Sequence, residues 1–376
     1  MSTQETASKG DAMRVAWAMG GRGHAAPVGD RRGRARLALV ALAFLLVTVM
    51  AAALVIGPFG LPIGRILAIF ADWAAGLPAA DVTERIVLVD IRLPRMLLGA
   101  LVGAALAVAG AMLQGLFRNP LADPGLVGVS AGAALGAVLV IVVGGAALAP
   151  LAAFLTVGAL PLAAFIGGFA TTLTLYAIAT RRGRTSVATM LLAGIALGAF
   201  AGAVTSFLVY RANDAQLREL TFWTMGSLSG ATWLKLAFAA PPILAVLALS
   251  PLVARGLDAL VLGEAEARHL GIDVERLKTG IVFAVAVVVG ASVAFTGVIG
   301  FVGIVVPHLL RLAIGPEHRT LLPAAALLGA SLIIAADIVC RIVVAPAELP
   351  IGIVTALIGA PFFVSILLRR RGIVDL

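Results

Sequence analysis

A single cysteine, Cys340, is all the chain has, which excludes an intrachain disulfide and any cysteine-cluster metal site. Histidine is almost as scarce, and His24, His269, His308 and His318 have no metal-ligand spacing. The three lysines, Lys9, Lys235 and Lys278, lie outside any glycine-rich phosphate-binding loop. Ser130 has Gly-x-Ser-x-Gly spacing, from Gly128 to Gly132, but at the head of an apolar run and not at a strand-to-helix elbow. A catalytic constellation is therefore absent, and ATP-driven work would need another chain. Charge is thin as well: 12% of the 376 residues are charged, about half the share found in soluble domains. Few charges and 61% hydrophobic residues leave no room for a large soluble domain.

What the chain has instead is apolar length. Runs of about 20 residues recur from residue 37 onward, each able to cross a bilayer core of about 30 Å. The pattern predicts an all-α, polytopic membrane protein of about ten helices, at 37–57, 93–116, 126–144, 151–180, 187–209, 233–254, 279–297, 302–314, 321–344 and 352–368. The eighth run is short for a crossing and reads as a partial or tilted helix. The 42 glycines and many alanines fit close helix packing through small residues. Residues 1–36 are basic and poor in large apolar side chains, and read as a disordered cytoplasmic tail ahead of a membrane domain at 37–376. A secretory signal fits this tail poorly, because its basic region is too long and the next apolar run spans a membrane.

The net charge of +9 belongs to arginines flanking the apolar runs, which makes it a matter of topology rather than of nucleic acid. Arg118, Arg181, Arg182, Arg184, Arg255, Arg268, Arg276, Lys278, Arg319 and Arg369–Arg371 all fall on one side when the N-terminus is inside. By the positive-inside rule that side is cytoplasmic, and both termini share it. The loop at 58–92, on the other side, is nearly neutral. The loop at 210–232 carries Trp223 and Trp233 and suits a short surface helix.

Four stretches carry the candidate mechanism. The first, Arg118 to Ser130, places Asn119, Pro120, Asp123 and Pro124 with Gly125 and Gly128 between two spans. Such a break in the backbone is tolerated near membrane depth only when buried in protein or lining a water-filled route. Gln114, just before it, either makes an interhelical hydrogen bond or faces that route. The second, Gly297 to Arg311, opens with three glycines and holds Pro307 and His308, candidates for a gate. Its likeness to the segment around 93–136 hints at an inverted repeat. The third, 255–278, has helix formers from Glu264 to Leu270 and a stop at Gly271, with a second short helix expected from Val274. Two short cytoplasmic helices would form a rigid knob that could enter a groove on a partner. The fourth is ionic. Asp337 and Arg341 lie four apart in an apolar run and read as an intrahelical pair. Arg92 and Arg95 flank Leu93-Pro94 and either snorkel to the interface or meet an acidic external partner.

Taken together, five motifs of the chain resemble one family, the permease subunits of iron-siderophore, haem and vitamin B12 importers of the ATP-binding-cassette class. They are Arg92-Leu-Pro-Arg95, the run Gln114 to Ser130, Leu262-Gly-Glu-Ala-Glu-Ala with Leu270-Gly271, Gly300 to Arg311, and Glu348-Leu-Pro-Ile-Gly352. The resemblance runs from about residue 37 to the end. It implies a homodimer in a bacterial inner membrane, two ATPase subunits on the cytoplasmic side and a periplasmic binding protein. ATP would be consumed by the partner subunit, with no cofactor held by the permease. It assigns Gly263, Glu264, Glu266, Arg268, Leu270 and Gly271 to ATPase coupling. It matches Arg92 and Arg95, with Arg341 near a third such position, to docking of the binding protein. Gln114, Asn119, Pro120, Asp123, Pro124, Pro307 and His308 would line the route or its gate. The local wording after Phe117 is most like that of haem permeases, with ferric siderophore and cobalamin as alternatives.

Overall fold

The computed structural model describes residues 28–77, 81–147, 158–181 and 184–374. The chain divides into two compact units, Met1–Leu37 and Ala38–Leu376. Among described residues the first holds only the opening turns of α1 (Val28–Val55). The expected disordered tail therefore lies outside the described residues over 1–27, whereas 28–36 are helical.

The second unit is a helix bundle. After α1 come α2 (Ile63–Ala74), α3 (Val82–Arg85), a π-helical turn (Ile86–Arg92) and α4 (Leu93–Leu116). A 3-10 turn (Pro124–Val127) leads to α5 (Val129–Ala147), then α6 (Ala159–Ala179), the strands β1 (Thr180–Arg181) and β2 (Arg184–Thr185), and α7 (Val187–Tyr210). Next are α8 (Asp214–Thr224), α9 (Trp233–Leu262), α10 (Glu264–His269), α11 (Val274–Thr296), α12 (Val302–Ile314), α13 (His318–Ile342) and α14 (Ile351–Val374). Among the described residues seven helical stretches are long and apolar enough to cross a membrane, and α5, α12 and α14 supply three shorter apolar helices. Each corresponds to one of the expected spans.

Local chemistry sets the helix starts. Asp81 accepts from Thr83 N at 2.8 Å to open α3. Asn213 and Gln216 form a reciprocal capping box on α8, the short helix expected in the 210–232 loop. Thr232 and Asp273 cap α9 and α11 through their side chains. The second span begins earlier than its apolar run, because α3 and the π-helical turn continue directly into α4. The antiparallel pair Thr180↔Thr185 and Arg181↔Arg184 is a further departure from a purely helical reading.

The bundle is organised around α4. In the Val82–Leu116 stretch the most apolar window is 83% buried, against 6% in Gly33–Val55. Small residues make this possible. A Cβ on Gly103 would stand 2.2 Å from Gly329 O of α13, and one on Gly110 would stand 2.1 Å from Gly303 O of α12. Helix backbones touch at these crossings, the close approach that small residues allow in a membrane. One end of the bundle, the basic end, holds the β1–β2 hairpin, α10 and the α12–α13 turn. The far end holds α2, α8 and residues 343–350.

Candidate functional site

At the basic end α9 and α10 meet at Gly263, whose φ of 127° is closed to other residues. A Cβ there would stand 2.1 Å from Glu266 Oε2. Helix α10 ends at Gly271 (φ 81°), with Gly271 N donating to Arg268 O at 2.9 Å and Ile272 N to Ala267 O at 3.0 Å. Ala267 is buried beneath the knob, while Leu262 and Leu270 stand 65% and 63% exposed. Glu266 is exposed too. Glu264, by contrast, turns inward, with Oε1 2.8 Å from Lys278 Nζ. The knob has one short helix rather than two. Asp273 caps α11, and nothing breaks the run from Val274 to Thr296.

Two groups that the sequence did not single out secure this end. Lys278 is buried and donates to Thr185 O at 3.0 Å. His318, also buried, donates its backbone N–H to Asp258 Oδ1 at 2.9 Å, and its ring Nδ1 lies 2.7 Å from the same oxygen. This joins α9 to the start of α13. The available signal for Lys278 was an acid three residues earlier, Glu275, in the first turn of the same helix.

The two broken segments meet inside the bundle. Helix α4 ends through Arg118 in the left-handed region (φ 49°), and Asn119 Oδ1 accepts from Leu121 N at 3.0 Å. Pro120 follows, half-buried. Asp123 caps the 3-10 turn by accepting from Gly125 N at 2.8 Å. Burial pushes the Asp123 carboxyl above its ordinary range, and the Gly125 N–H partly offsets that. Pro124 packs on α12, its Cδ 3.0 Å from where a Cβ of Gly303 would be. Gly303 lies against the last turns of α4, and a Cβ on Gly359, in the third turn of α14, would meet Phe301 at 2.3 Å. So α12 begins within the bundle. Its 13 residues span about 20 Å, short of a bilayer core of about 30 Å.

Gln114 is the link between these breaks. Its Nε2 donates to Gly303 O at 3.0 Å, and its Oε1 accepts from Arg311 Nη1. Of the two readings of Gln114, the structure has the interhelical hydrogen bond. Pro307 is buried in α12, and His308 meets Phe362 of α14 edge-on at 5.8 Å. A cavity of about 800 Å³ opens elsewhere, between α5, α6, α8, α9 and α11. Phe222, Trp223, Phe295, Glu219 and Lys235 line it, and none of the expected route residues does.

At the far end the three arginines expected to meet an acidic external partner all turn inward. Arg92, Arg95 and Arg341 are each 5% exposed. Arg92 donates to the carbonyls of Leu54 and Val55 at the end of α1 and of Phe59 just past it. Arg95 donates to both oxygens of Asp337 at 2.9 and 3.1 Å and to Glu348 at 2.8 Å. Arg341 lies 3.2 Å from Asp337 and donates to Ala53 O, also at 3.2 Å. The cause is desolvation: a guanidinium leaves water only against carboxylates or carbonyls. The intrahelical pair Asp337–Arg341 is thus present but shared with Arg95 of a second helix, α4. Glu348, with a side chain 34% exposed, carries this cluster to the surface.

Comparison with known proteins places this architecture. The FecCD transport family matches residues 38–369. The haemin transport system permease HmuU of Yersinia pestis is 49% identical over 284 residues, 75% of this chain and 83% of the relative. The cobalamin import permease BtuC of Halobacterium salinarum is 46% identical over 289 residues, 77% of this chain and 75% of the relative. A metal-chelate type ABC transporter solved in an inward-facing conformation superposes with a TM-score of 0.76 at 33% identity, over 88% of this chain and 98% of that one. With a buried α4, a helix that starts inside the bundle and a single knob at the basic end, the chain belongs to the FecCD transport family, as an ABC importer permease.

Proposed function

We propose that this permease passes haem across a bacterial inner membrane into the cytoplasm. Two ATPase subunits drive it from the basic end, and a periplasmic binding protein delivers the ligand at the far end. The observation that carries the substrate is the 49% identity to a haemin permease across three quarters of the chain. The basic end faces the cytoplasm by its arginines. Its knob offers Leu262 and Leu270 as apolar contacts and Glu266 as a charge for the ATPase. Two copies of the chain would enclose the route. Support for this comes from α7, whose Leu192, Ile195, Phe200 and Phe207 are more than 60% exposed and whose Gly198 and Gly202 face open space. Such a face suits close packing against a second copy.

Cobalamin is the second reading, favoured by the permease 46% identical over 77% of the chain. ATP-dependent uptake into proteoliposomes separates the two, using this chain, its ATPase and its binding protein. Haem-only accumulation supports the proposal, and cobalamin accumulation replaces the substrate while keeping the importer. Within the same system, Glu266→Lys is expected to weaken ATPase assembly. Full assembly and transport in that variant would remove Glu266 from the contact.

A further inference from the structure

The joint around Lys278 reaches further than a local ion pair. Its side chain is 3% exposed, and its ammonium has three acceptors from three different segments. Glu264 Oε1 of α10 lies at 2.8 Å, Glu275 Oε1 of α11 at 3.4 Å, and Thr185 O of β2 at 3.0 Å. Glu275 closes the ring, since its Oε2 accepts from Thr185 N at 3.0 Å. Both backbone groups of Thr185 are therefore held from the start of α11. Thr185 immediately precedes Ser186, which caps α7 by accepting from Thr189 N at 3.3 Å. Ser186 N donates to Ala179 O at 3.0 Å, so the hairpin is also tied to the end of α6. Tyr176 Oη and Thr279 Oγ1, 2.5 Å apart, join α6 to α11 beside it.

We propose that Lys278 is a positioning residue that makes the β1–β2 hairpin, and through it α7, follow the displacement of α10. The proposal rests on the importer reading, in which the ATPase moves α10 and α7 borders the route. A buried ammonium cannot be left without acceptors at small cost. If α10 moves and Glu264 goes with it, either Lys278 loses its shortest ion pair or α11 and β2 move too. The second outcome keeps all three acceptors. Arg268 also bridges Glu264 and Glu275, at 3.4 Å to each, but it is 49% exposed and water can replace those contacts. It is not the joint.

The test compares Lys278→Met, which keeps most of the aliphatic stem, with Lys278→Arg, which keeps the charge. Each is assembled with the ATPase and the binding protein in proteoliposomes. In Lys278→Met, uptake per ATP hydrolysed is expected to fall about tenfold, the scale of a coupling residue, with Lys278→Arg recovering much of it. A purely structural lysine would lower uptake and hydrolysis together, and that result overturns the proposal. So does uptake per ATP that stays at the parent level. If Lys278→Met does not assemble, spin labels at Ala265→Cys and Arg184→Cys in a Cys340→Ser background decide instead. Their separation stays constant on ATP binding if the hairpin follows α10, and a change of several Å overturns the joint. Absence of ATP-driven uptake in the parent complex would instead sink the importer reading and leave the label distances to judge the joint.

Discussion

The two ends of this bundle hold their charges in opposite ways. At the far end Arg95, Asp337 and Arg341 are each at most 5% exposed, and Asp337 is shared between two arginines on two helices. At the basic end Lys278 is buried, but the acids it meets, Glu264 and Glu275, keep 35% and 27% of their side chains in contact with solvent. The first cluster is a clamp. Its members have lost their hydration and can be separated only at high cost. The second is a joint, in which water can take over individual contacts while the parts move. A permease that must hold one end still and shift the other has reason to use both kinds.

The comparison breaks most sharply at Asp337. Asp337→Ala leaves Arg95 and Arg341 buried without their shared carboxylate and is expected to cost about 3–5 kcal/mol. Thermal unfolding in detergent measures it, and adding Arg95→Met should recover part of the loss if desolvated charge is the cause. Gly103→Leu comes next. Its side chain must displace Gly329, so a loss of about 1–3 kcal/mol is expected with the ionic clamp intact. That variant separates helix crossing from charge pairing. A smaller, pH-dependent effect belongs to Asp123. A carboxyl whose folded pKa is raised holds its proton more tightly in the folded state, so ionising it at neutral pH opposes folding. Asp123→Asn, which can still accept from Gly125 N, should stabilise the fold at neutral pH. The gain should vanish as pH falls through the ordinary carboxylate range, as melts across a pH series would record. Last is Arg268→Ala. Half-exposed contacts of 3.4 Å are worth about 0–1 kcal/mol, and the difference should shrink further in high salt.

Much of the fold was legible because apolar run length is a strong signal. The ten spans, the short α12 and the surface helix α8 all followed from length, glycine and tryptophan placement. What stayed hidden depended on partners distant in sequence. Arg95 reads as an interfacial charge until Asp337 and Glu348 arrive from 242 and 253 residues away. The second short helix expected from Val274 merged into α11 because no proline follows Asp273 within the helix, which runs on through Gly280. Lys278 drew attention only as a lysine outside a phosphate loop and as one of the inside charges. Its importance comes from Thr185, whose backbone groups no side-chain pattern advertises. The early start of α4 was masked by Asp81, Glu84 and Asp90, which read as loop charges but sit on a helix with a π-helical turn.

Cys340 sits one residue before Arg341 on α13, 1% exposed, with its carbonyl accepting from Leu349 N at 3.1 Å. It is the sole thiol in the chain, so an alkylating reagent has one target and must wait for the structure around it to open. When closing outpaces modification, the labelling rate relative to that of a free thiol gives the equilibrium constant for that opening. The protein thus carries a built-in clock beside its most desolvated charges. Its rate, followed through a transport cycle, would report how often the far end loosens while the basic end does its work.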